Sequence, residues 1–123
     1  MSPRALLPLA ATAITFTLAA GALGQAAAPK LQGTVGPGFT IHLSKTGQRV
    51  TSLGAGSYRF VISDRSGIHN FTLEQEKGGT FEKALTSTPF EGTKTVQVTL
   101  KKGRWKYYCS VHESMMFGFF TVK

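Results

Sequence analysis

One cysteine stands in 123 residues, so no intramolecular disulfide can form and every Cys-x-x-Cys zinc or haem motif is excluded. Acidic side chains are scarce as well: six, against 14 lysines and arginines, for a net charge of +8. Charged residues of both signs make up only 16% of the chain, below the usual share of about a quarter. The length suits one domain and excludes a multidomain enzyme. Glycine (14) and phenylalanine (nine) are plentiful, and the hydrophobic content is 41%. That is enough apolar mass to build a core and exclude wholesale disorder. Glycine at this frequency favours short strands with tight turns over a helical bundle, and leaves P-loop and Rossmann folds out of consideration.

One long uncharged, Ala-rich run stands at the start. Arg4 supplies a short positive region, residues 5–23 are uncharged and Ala-rich, and small residues follow in Ala22-Leu23-Gly24 and Ala26-Ala27-Ala28. This is the pattern of a secretory signal over residues 1–28, cleaved after a small-x-small site, with residues 29–123 as the mature domain. The run is nearly long enough to span a bilayer of ~30 Å, but Thr12, Thr15 and Thr17 dilute it, so cleavage is the reading adopted. Loss of Arg4 lowers the charge from +8 to +7. An exported chain normally pairs its thiols, and an odd one implies a reactive or ligated sulfur. Cys109 therefore requires a role.

From Pro29 onward the apolar pattern has period two, which marks strands. Phe39, Ile41 and Leu43 alternate with polar residues, as do Tyr58, Phe60 and Ile62, and Val96, Val98 and Leu100. Further strands are expected over 31–35, 68–74, 104–109 and 117–123. Turns are expected at Gly36-Pro37-Gly38, Gly54-Ala55-Gly56, Asp64-Arg65-Ser66-Gly67, Gly78-Gly79 and Lys101-Lys102-Gly103. Residues 79–90 receive no assignment. Seven or eight short strands with turns this frequent predict an all-β, antiparallel Greek-key sandwich, because a lone sheet could not bury its apolar faces.

The chemistry is concentrated in Tyr107-Tyr108-Cys109-Ser110-Val111-His112-Glu113-Ser114-Met115-Met116-Phe117-Gly118. Its register, Cys-x2-His-x3-Met, places a thiol at a strand end and an imidazole and thioether in the following loop. Thiolate, thioether and imidazole together favour copper; two imidazoles and a thiolate in a plane, with a weak axial thioether, are the blue-copper set. The second imidazole is assigned to His69, after a Gly turn at the head of a strand. His42 falls on the polar face of residues 39–43 and is read as a surface histidine.

These residues resemble the cupredoxin family, in particular its small plastocyanin- and amicyanin-like members. The family's closing pattern, Gly-x-Tyr-x-Phe/Tyr-Tyr-Cys-x-x-His followed by Met-x-Gly, reads here as Gly103-Arg104-Trp105-Lys106-Tyr107-Tyr108-Cys109-Ser110-Val111-His112 and Met116-Phe117-Gly118. The upstream His-Asn is matched by His69-Asn70, and the resemblance spans residues 30–123. It implies His69, Cys109 and His112 as strong ligands of one copper ion and Met116 as the axial one. Met115 is a rival thioether, but Met116 has the register that feeds the last strand. Asn70 is implied as the residue pinning the two ligand loops together. Val111 stands where relatives often have Pro, so an extra N–H to the sulfur is available.

A Cys/His nucleophilic enzyme would need an acid to orient the base and an oxyanion site, and no such partner is evident. Nucleic acid is excluded by export and by the scatter of the cations. The Phe117, Phe119 and Phe120 run reads as core. The resulting expectation is a periplasmic, monomeric one-electron carrier that is not an enzyme and has no membrane span once cleaved. Its redox partner would be a cytochrome or copper enzyme, of acidic character if the Lys101–Lys106 run lies near the docking face. Electrons would leave through His112, with Tyr108 as a second route. A copper carrier or buffer without an electron partner is the competing reading.

Overall fold

The computed structural model of the chain describes residues 27–123 without a break, together with 1–3, 5, 8 and 10–14. The leader expected over 1–28 lies for the most part outside the described residues, and so do Ala22-Leu23-Gly24 and Ala26. Among the described residues no helix is long and apolar enough to cross a membrane.

Ten strands follow one another: β1 (Lys30–Val35), β2 (Ile41–Lys45), β3 (Gln48–Arg49), β4 (Ser52–Leu53), β5 (Gly56–Asp64), β6 (Phe71–Lys77), β7 (Glu82–Thr86), β8 (Gly92–Leu100), β9 (Gly103–Tyr108) and β10 (Phe117–Val122). They form two five-stranded sheets, ordered β3-β2-β1-β5-β8 and β4-β10-β9-β6-β7. From β3 onward the chain repeatedly changes sheets, as expected of a Greek-key sandwich. Period-two alternation buries Leu31 and Val35 of β1, Tyr58, Phe60 and Ile62 of β5, Trp105 and Tyr107 of β9, and Phe120 and Val122 of β10. Each large side chain taken from water in this way contributes roughly 1.5–3 kcal/mol. An aromatic column runs the length of the core. Phe71 stacks on Tyr107 at 5.8 Å, Tyr107 on Phe120 at 6.4 Å, Phe120 on Trp105 at 6.2 Å, and Trp105 meets Phe81 at 5.5 Å.

Two glycines are required by this packing. A Cβ on Gly33 would overlap Ile62 Cδ1, and one on Gly118 would overlap the Tyr107 ring. Both positions let strand backbone approach a core side chain directly.

The sandwich departs from the expectation in three ways. It has ten strands rather than seven or eight, because β3 and β4 are two residues each and β7 occupies the unassigned segment. It is not wholly antiparallel: β1 pairs with β5, and β4 with β10, in parallel. Phe117 and Phe119 are not core. Phe117 is exposed, and half-buried Phe119 lies on the outer face with the Arg104 guanidinium 4.5 Å from its centroid.

β1, β5, β7 and β9 run toward one end of the sandwich, and the remaining long strands start from it. That end carries the longer connections, residues 36–40, 65–70, 87–91 and 109–116.

Candidate metal centre

His69 is placed by two successive turns. The Asp64 carboxylate Oδ1 accepts the Ser66 N–H at 3.2 Å, and the Ser66 carbonyl accepts the His69 N–H at 3.1 Å. The Glu91 carboxylate holds the turn from outside by accepting the Gly67 N–H at 3.0 Å. The imidazole is buried, and its Nε2–H donates to the Gly38 carbonyl at 2.8 Å. Donation from Nε2 leaves Nδ1 as the ring's lone-pair donor, which fixes both tautomer and orientation.

The loop after β9 is coiled on itself. The Cys109 carbonyl accepts the His112 N–H at 3.1 Å, the His112 carbonyl accepts the N–H groups of Met115 and Met116 at 3.0 and 2.9 Å, and the Met116 carbonyl accepts the Cys109 N–H at 3.0 Å. These turns bring the Cys109 sulfur and the His112 imidazole round to His69. The two Nδ1 atoms are 3.1 Å apart, and Cys109 Sγ is 3.8 Å from each. A triangle with these sides has a centre about 2.1 Å from every corner, the length of a metal–imidazole bond and slightly less than that of a metal–thiolate bond. The donor set therefore fits a single ion of transition-metal size.

Met116 is fully buried within the core, whereas Met115 is 58% exposed. Asn70 joins the two loops: its Oδ1 accepts the Ser110 N–H at 3.0 Å and the Thr72 hydroxyl at 2.9 Å, while its Nδ2 donates to the Ser110 hydroxyl at 2.7 Å. This is the pinning expected of it. The Val111 N–H makes no hydrogen bond to the Cys109 sulfur among those of the described residues. His42 is exposed on the outer face of β2, as its strand parity requires.

Phe39, expected within the β2 alternation, sits on the loop before that strand, edge-on to both imidazoles. Its centroid is 5.6 Å from that of His69 and 4.9 Å from that of His112. The sequence held one signal of this, the Gly36-Pro37-Gly38 turn immediately before it. Phe39, Ile68, Val111, Met115 and Phe117 are all exposed, and together with partly exposed His112 they make this end an apolar surface.

Charge gathers on the outer face of the second sheet. The Tyr108 hydroxyl donates to the Glu82 carboxylate. Burial first, then this bond and the charges of Glu82, Glu74 and Glu113, hold the phenol well above its ordinary pKa. Glu74, opposite Glu82 in the ladder, is also raised, by burial and then by the charges of Glu82 and Glu76, against a lowering pull from Lys106. Lys106 pairs with Glu113 at 2.7 Å, and its Nζ lies 5.0 Å from the Tyr108 ring centroid. The Lys101-Lys102 turn precedes β9 and Cys109 follows it, so the two stand at opposite ends of a strand about 20 Å long.

No family model and no curated protein sequence matches the chain. Solved structures do match it in fold. Reduced rusticyanin superposes with a TM-score of 0.54 at 17% identity, over 76% of this chain and 78% of that one. A methionine-to-glutamine variant of rusticyanin gives 0.51 at 16%, and a further structure described as the copper protein rusticyanin gives 0.51 at 18%, each over 76% of both chains. The chain has the cupredoxin fold, and the resemblance read from its sequence holds for that fold and for the meeting of His69, Cys109 and His112.

Proposed function

We propose that this protein is an exported blue copper protein, a monomeric periplasmic carrier that moves one electron at a time between redox partner proteins. The observation that carries the reading is the triangle of two imidazole nitrogens and one thiol sulfur, with a buried methionine on the same loop. A bound copper ion would supply a reversible Cu(I)/Cu(II) couple. The chain's own task is to hold the donors still. His69 is oriented by the Gly38 carbonyl, Cys109 and His112 by their shared loop, and both loops by Asn70. Met116 would supply the weak thioether donor to the ion, because Met115 points to water. Phe39 packs edge-on against both imidazoles, and His69 beneath it is shielded from solvent. Transfer proceeds through His112, and the redox partner docks on the apolar rim around it, a contact of the small, transient kind. A nucleophilic role for Cys109 is disfavoured by its complete burial, which keeps substrate from the sulfur.

Addition of Cu(II) should produce an intense visible cysteine-to-copper band and a reversible potential, and Cys109→Ser should abolish the band. Colourless binding of Cu(I) alone would make the protein a copper carrier or buffer instead, and a blue Cys109→Ser protein would remove the sulfur from the site.

A further inference from the structure

The end of the sandwich opposite the metal centre is a field of lysines. Lys30 opens β1, Lys45 closes β2, Lys77 closes β6, Lys101 and Lys102 form the turn from β8 to β9, and Lys123 follows β10; all six are exposed. The two ion pairs found among the described residues, Arg104 with Glu76 and Lys106 with Glu113, involve none of them. Their backbone is held in place. The Trp105 indole N–H donates to the Lys101 carbonyl at 2.9 Å and the Gln75 amide to the Lys102 carbonyl at 3.1 Å. Lys123 is fastened by its own N–H to the Leu53 carbonyl at 2.9 Å and by the Ala55 N–H to its carbonyl at 3.1 Å. This is a fixed array of uncompensated positive charge.

A protein-docking face carries aromatic or aliphatic side chains at its centre. The lysine end offers none: the exposed large apolar residues of 27–123 are Phe39, Ile68, Val111, Met115 and Phe117, grouped around the metal centre. Cations without an apolar centre suit a partner that presents diffuse negative charge and asks for no shape match, and a layer of anionic lipid headgroups is such a partner.

We infer that the lysine end docks on an anionic lipid bilayer, leaving the His112 end turned away from the membrane and open to its partner. Each lysine near such a surface multiplies the affinity roughly fivefold. The attraction fades with salt, since screening shortens to ~8 Å at physiological ionic strength.

The experiment is co-sedimentation of the full chain with vesicles of phosphatidylcholine alone or mixed with phosphatidylglycerol, at low and high salt. Neutral vesicles report any binding by the N-terminal stretch itself. More than tenfold tighter binding to the mixed vesicles is expected, lost at high salt and lost in the Lys45→Gln, Lys77→Gln, Lys101→Gln, Lys102→Gln variant. Acetylation mapped by mass spectrometry supplies a readout without mutation: mixed vesicles should shield those four lysines and leave Lys94, near the other end of β8, open. Equal binding to both vesicle types, an undiminished variant, or shielding of Lys94 alone would overturn the inference. Soluble polyglutamate bound as tightly as the mixed vesicles would transfer the surface to an acidic protein.

Discussion

The two ends of this sandwich are made of the same material, connections between strands, yet they carry opposite surfaces. At the lysine end the turns are short, as at Thr46-Gly47 and Lys101-Lys102. Two-residue turns of this kind have no spare residues to aim inward, and their side chains point to water. At the other end the connections run five to eight residues, long enough to coil and hydrogen-bond to one another. Only there can side chains from different loops converge on one point. The spare length is what makes a site.

The contrast predicts that variants at one end leave the other unmoved. The largest effect belongs to His69→Ala, which should erase the visible band and weaken copper binding by more than the ~10–100-fold typical of losing an outer partner. His42→Ala should bind copper with the native spectrum. Equal losses in titrations of the two would break the assignment of His69.

A smaller effect sharpens the picture within the site. Met116→Leu should keep the copper and raise its reduction potential, because a thioether stabilises Cu(II) more than Cu(I). The rise should exceed the ~59 mV that corresponds to a tenfold change in a one-electron equilibrium. Met115→Leu should move the potential little, since its side chain faces solvent. Voltammetry of the two variants checks the order, and the reverse order would give the axial place to Met115.

The smallest effect lies between the ends, on Glu74. Its folded pKa is raised above the ordinary 4.5, so the fold holds this proton more tightly than the unfolded chain does. Stability is therefore lost as pH rises from 4.5 through the raised value, and the loss persists at neutral pH. Glu74→Gln should melt about 1–3 °C higher at neutral pH, the effect being small because solvent screens the group. Below 4.5 the variant and the parent should converge in thermal melts.

Local pattern carried the sequence reading a long way, and its failures are physical. Strands whose apolar residues alternate, such as β5, were legible to within a few residues, and the donors were legible because Cys109, His112 and His69 are rare residue types at informative spacing. β7 was not: its first three residues are exposed and only Leu85 and Thr86 turn inward, so no period appears. The parallel pairs β1–β5 and β4–β10 join segments far apart in the chain and leave no local trace. Phe117 and Phe119 misled because their rings, exposed on Phe117 and half-buried on Phe119, lie beside the cations of Arg104 and Lys106 rather than in a core. Gly38 holds His69 through a backbone carbonyl, which no side chain announces.

The chain enters β1 and leaves β10 at the same end of the sandwich, as Pro29 on Arg59 and Lys123 on Leu53 attest. Anything attached at either terminus of the domain is thereby kept about a strand's length from His112. A C-terminal linker could fasten the protein to an electrode with its exchange face outward. A short peptide joining the two termini would also permit circular permutation, with new ends cut at the turns of the lysine end. The layout makes this a domain that can be wired from behind.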